Sequence, residues 1–481
     1  MIKFHKLIFI KIKQFQLLLF LFSTISLYSQ NYSKLIIKDI YIKGNETTKE
    51  KIILRELEFN KGDTINFEKL HLILGKSRNN LMNISLFNFV EIESNIDSIN
   101  KTNVDDIAYL DITITCKERW YIWPVPYLYF EERNFNDWWE RKDISRLTYG
   151  AIIYKENFRG KREQLSIGLQ TGFNDLASIK YTNPGIDKER SIGIEVSLNY
   201  SLENNINYRT INEKQEFIKL DDTYGIYRRN IILGATKRFG IYNSFNIITQ
   251  YNNYTFSDTL FDLNPQYILP NNNNHIFFSI YLKYKSDYRD YIHYPLKGHF
   301  FDINFFKNGL GILNSESIST LGIKSSFRKY WQINKNLFFA SGTKVRVKFD
   351  KDKSYFLSNR LGFDNDYIRG FERYVIDGQN FVILKTNLKY NIIPTRILKL
   401  NFIKTEKFNT IPYRFYLNII GDAGYISDKF NPATSTLSNK LLYGYGIGID
   451  FVTYYDRAYR IEFLRNSKKE FSFAIQFTAP I

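Results

Sequence analysis

The chain has 481 residues and a formal net charge of +17, and it is rich in Phe (41) and Tyr (36), which favour strands, but has one cysteine. A single cysteine excludes an internal disulfide and a CxxC zinc site, and the five histidines are scattered without metal-ligand spacing. GxSxG, GxxxxGK[ST], HExxH and GxGxxG motifs are absent, so we expect no enzyme, no metal and no cofactor.

Residues 1–29 have the layout of a secretory signal peptide. Four lysines precede a short apolar run from Phe15 to Phe22, broken by Gln16, and small polar residues follow up to Ser29. The run is short for a bilayer-spanning helix, which needs about 20 residues, so cleavage near Ser29 is preferred to a membrane anchor.

No apolar run of about 18 residues follows position 30, which leaves a soluble periplasmic protein or an outer-membrane barrel. Lys and Arg are spread evenly over this exported chain. Their spread favours outer-membrane lipid and lipopolysaccharide as anionic partners, and no nucleic acid.

Residues 31–118 are predicted to form one small α/β domain of order β-α-α-β-β. A helix capped by Thr47 or Thr48 and ending at Leu57 follows the first strand. The other predicted elements are a strand at Leu35–Ile42, a helix at Phe67–Ser85, and strands at Phe87–Ile96 and Ile107–Glu118.

Residues 119–481 lose the helical period. Segments of about ten residues alternate apolar and polar side chains between polar links, which is typical of a transmembrane antiparallel β-barrel. About sixteen strands are predicted: Arg119–Glu131, Leu147–Asn157, Glu163–Phe173, Ala177–Asn183, Ser191–Ser201, Arg228–Phe239, Asn243–Tyr254, His275–Asp287, Gly298–Asn308, Ser315–Trp331, Leu337–Phe349, Asn380–Ile393, Tyr413–Tyr425, Leu441–Tyr454, Tyr459–Asn466 and Glu470–Thr478.

The link lengths test this number of strands. Periplasmic turns of such barrels are short and external loops are long. If the α/β domain lies in the periplasm, long links should follow odd-numbered strands and short links even-numbered ones, and most do, which supports an even number near sixteen. The link 394–412 is long where a short one is expected. The alternative of a soluble sandwich or solenoid is disfavoured by the even spread of Tyr and Phe.

Several motifs resemble the BamA/TamA family of outer-membrane assembly and translocation proteins. Ile42-Lys43-Gly44-Asn45, Gly62-Asp63 and Leu86-Phe87 resemble the polypeptide-transport-associated (POTRA) domain, whose sheet edges unfolded clients can augment. In the barrel the resemblance is carried by Asn157-Phe158-Arg159-Gly160, by Tyr181-Thr182-Asn183-Pro184 and above all by Tyr367-Ile368-Arg369-Gly370-Phe371.

The resemblance implies a loop that folds back into the lumen. Arg369 would be the cation at its tip, Gly370 would permit the tight backbone, and Phe371 would pack against the wall. Asp422 matches the acidic partner on the inner wall. The second carboxylate expected near Asn387-Leu388-Lys389-Tyr390 is missing, Lys389 adds a positive charge there, and Glu372 or Asp377 is the candidate to compensate. The pair either has a gating role or only plugs the pore.

A lateral seam is predicted between the first and last strands, with Pro124, Val125 and Pro126 on one side and Phe473, Ala474 and Ile475 on the other. The prolines lack ladder donors and would weaken the seam if they face the last strand. The alternative is that they precede the true first strand.

The resemblance implies an accessory assembly factor in the outer membrane of a Gram-negative bacterium. Its partners would be unfolded or nascent outer-membrane and secreted polypeptides, with accessory lipoproteins as a further possibility. The alternatives are a secretion pore for a dedicated partner protein, and a passive or structural pore with a vestigial POTRA domain.

Overall fold

The computed structural model describes residues 34–97, 107–130, 147–220, 223–314, 316–350, 352–362, 366–400, 402, 409–429, 435–453 and 457–476. The predicted signal peptide lies outside these residues. The chain divides into two compact units. The first contains residues 1–41, 59–74 and 92–114, and the second contains 42–58, 75–91 and 115–481.

Six elements make up residues 34–118. They are β1 (Lys34–Lys43), α1 (Glu50–Leu54), β2 (Thr64–Asn66), α2 (Phe67–Asn83), β3 (Phe87–Asp97) and β4 (Ile107–Glu118). The strands form one sheet in the order β2-β1-β4-β3. The alternation predicted for β4 holds, because Leu110, Ile112 and Ile114 are fully buried.

Two local predictions in this region were wrong. α1 is only five residues long, and neither Thr47 nor Thr48 caps it, because Lys49 precedes the helix without a side-chain cap. Thr48 instead donates its hydroxyl and its backbone N–H to Glu118 at 2.6 and 2.7 Å. The short strand β2 was missed because three residues are too few to show a period of two.

Strands predominate among the described residues that follow β4, and these residues contain one short helix, α3 (Asp258–Leu263). The strands are β5 (Ile122–Phe130), β6 (Leu147–Phe158), β7 (Glu163–Gly172), β8 (Asn174–Asn183), β9 (Ile192–Glu203), β10 (Asn205–Ile211), β11 (Lys214–Lys219), β12 (Ile226–Phe239), β13 (Asn243–Phe256), β14 (Asn274–Asp287), β15 (Gly298–Asn308), β16 (Thr320–Gln332), β17 (Leu337–Lys348), β18 (Asn359–Leu361), β19 (Ile376–Gly378), β20 (Asn380–Lys399), β21 (Thr410–Ser427), β22 (Leu441–Val452), β23 (Ala458–Asn466) and β24 (Phe471–Gln476).

Sixteen of these strands form one antiparallel sheet, in the order β24-β23-β22-β21-β20-β17-β16-β15-β14-β13-β12-β9-β8-β7-β6-β5. The predicted number of strands is confirmed. The pairs β10-β11 and β18-β19 form separate two-stranded sheets in two of the long links. The link predicted at 394–412 is shorter than expected, because β20 extends to Lys399 and β21 begins at Thr410.

Polarity across the sheet is the reverse of that in a soluble protein. In β23, Arg460 and Glu462 are fully buried, whereas Ile461 and Phe463 are each 51% exposed. Apolar side chains facing outward and charged side chains facing inward fit a sheet whose outer face contacts lipid. Within the described residues, no helix has the length and apolar character needed to cross a bilayer.

Contacts between distant strands show that the sheet is curled. Tyr294, in the link before β15, donates its hydroxyl to Asp450 of β22 at 2.6 Å. β15 and β22 are five strand positions apart in the sheet order, which is about 24 Å on a flat sheet. The inner face therefore encloses a lumen, and polar side chains from distant strands meet inside it.

Candidate functional site

The tip predicted at residues 368–371 lies in the link between β17 and β20. Gly370 has φ +93°, a conformation that L side chains rarely adopt, and the Phe371 N–H closes the turn on the Ile368 carbonyl at 3.0 Å. Phe371 is 2% exposed and belongs to a buried apolar cluster that includes Phe381 and Ile383 of β20. The local sequence thus turns the chain back and packs the tip against the wall.

The Arg369 side chain is completely buried and meets Asp422 of β21. Its Nε donates to Asp422 Oδ2 at 2.9 Å and its Nη2 donates to Oδ1 at 2.5 Å. The Arg369 backbone N–H donates to Oδ2 at 3.0 Å. Two parallel bonds between a guanidinium and a carboxylate fix direction as well as distance. Asp422 therefore sets both the position of the side chain and that of the backbone at the tip.

The remaining donors of Arg369 bind β20. Nη1 donates to Asn387 Oδ1 at 2.7 Å, and Nη2 donates to the Thr386 carbonyl at 3.1 Å. Asn387 thus occupies the place where the family resemblance led us to expect a carboxylate. A neutral amide satisfies the donor but does not balance the charge.

The second carboxylate comes from β23. Glu462 Oε1 lies 3.7 Å from Arg369 Nη1 and 3.4 Å from Arg460 Nη1. Neither candidate for compensation takes this role. Glu372 Oε1 accepts from the Gly370 N–H at 2.8 Å, and Asp377 pairs with Arg360 at 2.9 Å. Burial raises the pKa of Glu372.

Lys389 does not contact the guanidinium. Its Nζ lies 4.2 Å from the centre of the Tyr294 ring, on the same side of the lumen as the Tyr294–Asp450 hydrogen bond. Asp450 also binds Arg460, whose Nε and Nη2 donate at 2.5 and 2.8 Å. We refer to Arg369, Asp422, Asp450, Arg460 and Glu462 as the lumen ion network.

Sequence reasoning found Arg369 and Asp422 but missed the other members of the lumen ion network. The sequence did contain a signal for two of them. Arg460 and Glu462 stand at alternate positions of a strand whose other face carries Ile461 and Phe463. Charged side chains in a membrane strand point to a polar interior.

Close backbone contacts hold the tip in place from a third strand. A Cβ atom at Gly444 of β22 would lie 1.9 Å from the Arg369 carbonyl oxygen.

A further ionic contact precedes the tip, where Asp366 meets Lys324 of β16 at 2.7 Å and Lys344 of β17 at 2.5 Å. Burial opposes ionisation of Asp366, but the two lysines outweigh it and lower its pKa.

The predicted seam residues lie on the two strands at the ends of the sheet order, β5 and β24. Val125 is 40% exposed, and Phe473 and Ile475 are 48% and 56% exposed. Ala474 lies in β24, opposite Glu462 of β23. Pro124 and Pro126 lie inside β5, opposite Ile153 and Ala151 of β6, rather than before the strand.

The alternation of backbone hydrogen bonds along β5 shows on which edge of the strand the two prolines lack an N–H donor. The Glu156 N–H donates to the Tyr121 carbonyl at 2.7 Å, and the register of β5 against β6 is unbroken from residue 122 onward. Odd residues of β5 therefore direct their backbone groups toward β6, and even residues direct them away. The two missing N–H donors lie on the edge that faces away from β6.

In the part of the chain that the structure describes, no group of three His, Cys, Asp or Glu residues is placed to bind a metal ion.

Two family models match the chain. The POTRA model, described as a surface antigen variable number repeat, matches residues 35–119, and the Omp85 superfamily domain matches residues 157–382. No curated protein matches the sequence.

Two solved structures are similar over 92% of this chain. BamA from Haemophilus ducreyi lacking POTRA domains 1–3 is 14% identical, with 83% of its chain covered and a TM-score of 0.50. CdiB from Escherichia coli is 11% identical, with 75% of its chain covered and a TM-score of 0.52. At these identities the similarity concerns the fold.

Proposed function

Because this chain belongs to the Omp85 superfamily of outer-membrane barrels with POTRA domains, we propose that it assists the insertion of polypeptides into the outer membrane at the seam between β5 and β24. The family supports the broader function, which is insertion or translocation of polypeptides at this membrane. The accessory role and the seam as the route are our proposal.

The observation that carries the proposal is the edge of β5. Pro124 and Pro126 leave two positions without a donor on the side that faces away from β6. At about 0.5–1.5 kcal/mol for each hydrogen bond, a ladder on this edge lacks about 1–3 kcal/mol. A weak ladder between β5 and β24 would make this seam easier to open, and the freed edge of β24 could then accept a client strand by β-augmentation.

The loop inside the lumen is an argument for the seam and against an export route through the pore. Arg369 is fully buried among the inner-wall contacts described above. A polypeptide that passes through the lumen would have to displace this loop and leave Asp422 without its partner. A strand that enters at the seam leaves the lumen ion network intact.

The test joins the seam with a disulfide. Val125→Cys and Ala474→Cys are introduced into a Cys116→Ser background, so that the two new thiols can pair only with each other. The native Cys116 thiol is itself poorly reactive, because burial, with a smaller effect of the Glu118 charge, raises its pKa to about 12 and disfavours the thiolate. Purified protein in liposomes is supplied with an unfolded outer-membrane barrel protein, and the folded client is measured before and after reduction.

We expect oxidation to block client insertion and reduction to restore it, while each single-cysteine variant stays active in both conditions. Full activity with the disulfide completely formed would rule out the seam as the route and favour the lumen, as in a secretion pore. Ion conductance without client insertion in any variant would favour a passive pore.

The proposed partners follow from the same surfaces. The aromatic and aliphatic outer face would contact lipid and lipopolysaccharide, and exposed edges would accept unfolded polypeptides. Accessory lipoproteins belong to the proposal only as candidates for co-purification with the full chain.

A further inference from the structure

A cavity of about 320 Å³ lies at the ends of β12, β13 and β14, and all of its lining residues belong to the second unit of the chain. Five cations line it: Arg162, Arg238, Lys283, Lys285 and Arg289. Only two carboxylates, Glu56 and Asp287, line it with them. We call this cavity the basic cleft, and its lining carries three more positive than negative charges.

Both carboxylates of the basic cleft are already paired. Arg238 donates two bonds to Glu56 at 2.8 and 3.0 Å, and Arg289 donates two bonds to Asp287 at 2.7 Å each. Arg162 lies farther from Glu56, at 3.5 Å. No carboxylate of the lining therefore remains for the lysines.

Lys283 and Lys285 form no hydrogen bond or ion pair within the described segments. Asp302 of β15 lies opposite Lys285 in the ladder, but it too has no ion pair among those residues. Both lysines project from the inner face of β14, since the odd residues His275, Phe277 and Ser279 of that strand are buried. Two ammonium groups thus face a cavity that holds more positive than negative charge.

The register arranges the cleft in two parallel rows. One row crosses the three strands through Thr236, Asn246 and Lys283. The next crosses them through Arg238, Ser244 and Lys285. Neighbouring rows are two residues apart, which is about 6.6 Å along a strand. This spacing equals the distance between side chains at alternate positions of an extended peptide.

We propose that the basic cleft binds an extended acidic segment of a client polypeptide, with carboxylates at alternate positions paired to Lys283 and Lys285. Carboxylates supply the missing negative charge, and the hydroxyl and amide groups of the two rows can bond main-chain N–H and C=O groups. Few apolar side chains line the cleft, so it offers little to the acyl chains of a lipid.

This inference rests on the proposed function for the identity of the ligand as a client. Its test is a binding assay that needs no insertion activity. The full chain in detergent is titrated against the fluorescent peptide Thr-Glu-Thr-Glu-Thr, and binding is followed by anisotropy. The same peptide with Gln at both Glu positions reports binding that does not depend on charge.

The informative variant is Lys283→Gln/Lys285→Gln. Its matched control is Lys297→Gln/Lys335→Gln, which removes the same charge from two exposed lysines that do not line the cleft, one in the link between β14 and β15 and one in the link between β16 and β17. Heat-modifiable migration on gels verifies that both variants fold. We expect at least a tenfold loss of affinity for the acidic peptide in the first variant and no loss in the control. We also expect the affinity of the wild type to fall as the salt concentration rises.

Equal binding of the Glu and Gln peptides, or unchanged affinity in Lys283→Gln/Lys285→Gln, would overturn the site. Displacement of the peptide by inorganic phosphate at equal concentration would reduce it to a general anion site and overturn the peptide assignment, as would equal binding of phosphatidylglycerol vesicles. Client insertion by a protein without charge-dependent peptide binding would refute the cleft alone. Peptide binding by a protein that inserts no client would refute the proposed function and retain the cleft.

Discussion

A guanidinium that is removed from water needs its charge matched within hydrogen-bonding distance, and the Arg369 side chain has no exposed surface. Breaking a buried pair by removing one partner costs about 3–5 kcal/mol, because it leaves a buried charge without compensation. We therefore expect Asp422→Ala and Arg369→Ala each to release the loop, and limited proteolysis of residues 366–379 measures the release.

The two carboxylates near Arg369 differ in distance, so their effects should differ too. Glu462 lies 3.7 Å from the guanidinium and makes no bidentate contact with it, whereas Asp422 does. Glu462→Gln should increase cleavage of the loop less than Asp422→Asn. Asp302→Ala serves as the control. Unchanged cleavage in Asp422→Ala beside increased cleavage in Arg369→Ala would show that the pair does not hold the loop.

A substitution at Gly444 tests the contact between β22 and the backbone of the loop. A Cβ there would lie 1.9 Å from the Arg369 carbonyl, and backbone cannot yield as a flexible side chain does. Gly444→Ala should displace the tip and raise cleavage of the loop while Arg369 and Asp422 are both present. Gly234→Ala is the matched control, because its nearest atom is a side-chain carbon at 3.3 Å. Equal cleavage in the two variants would contradict the close contact.

At the scale of elements, the hairpin β10-β11 is fastened to the link between β21 and β22. Glu213, at the tip of the hairpin, is 3% exposed and has φ +60°. Its carboxylate accepts from Ser435 Oγ and the Leu437 N–H, each at 2.9 Å, and from the Thr436 N–H and hydroxyl. Its carbonyl accepts from the Val375 N–H at 2.9 Å. One residue therefore joins three long links.

We expect Glu213→Gln to loosen this junction, because a neutral amide oxygen is a weaker acceptor than the carboxylate oxygen that binds the Ser435 hydroxyl and the Thr436 and Leu437 N–H groups. Hydrogen bonds to a charged group contribute about 1.5–3 kcal/mol each, so weakening several of them should destabilise the junction measurably. Hydrogen exchange at Thr436 and Leu437 should rise by at least tenfold. Glu216→Gln on the same hairpin is the control, and equal exchange in both variants would show that the carboxylate is dispensable.

The strands of the barrel were predictable because each alternates between a lumen and a lipid face, and this period is local. The ends were less predictable, since β20 continues past Ile393 to Lys399 with two irregularities in its pairing. The hairpin β10-β11 was missed for a different reason. Its strands are short and partly polar, and tertiary contacts such as those of Glu213 hold it rather than a period of its own.

For the whole molecule, the sequence predicted the pairing of Arg369 with Asp422 through a family motif, not through physics. The other contacts of the lumen ion network depend on which strands lie side by side and in which register. Asp450 and Arg460 are opposite each other in the ladder of β22 and β23, and Tyr294 reaches them from five strand positions away. One-dimensional spacing does not encode such distances.

Glu56 connects α1 and the residues around it to the wall at Arg238, within the second unit. Burial raises the pKa of Glu56, but the hydrogen bond and charge of Arg238, with the charges of Arg162 and Arg55, outweigh burial and hold that pKa below its ordinary value. A carboxyl group whose pKa is lowered by folding contributes stability above its unfolded pKa, which is about 4.3. The contribution is lost as the pH falls through the folded value.

We therefore expect protection of the α1 amides against hydrogen exchange, corrected for the intrinsic rate, to be constant from pH 7 to about 5 and to fall at lower pH. Glu56→Gln should reduce protection already at pH 7 and flatten this dependence, because Arg238, whose side chain is 15% exposed, loses its counter-charge. The cost should lie below the about 3–5 kcal/mol of a fully buried pair. Glu50→Gln on the same helix should leave the profile of the wild type unchanged, since Glu50 is exposed. An acid-dependent loss of protection that persists undiminished in Glu56→Gln would assign it to another carboxyl group.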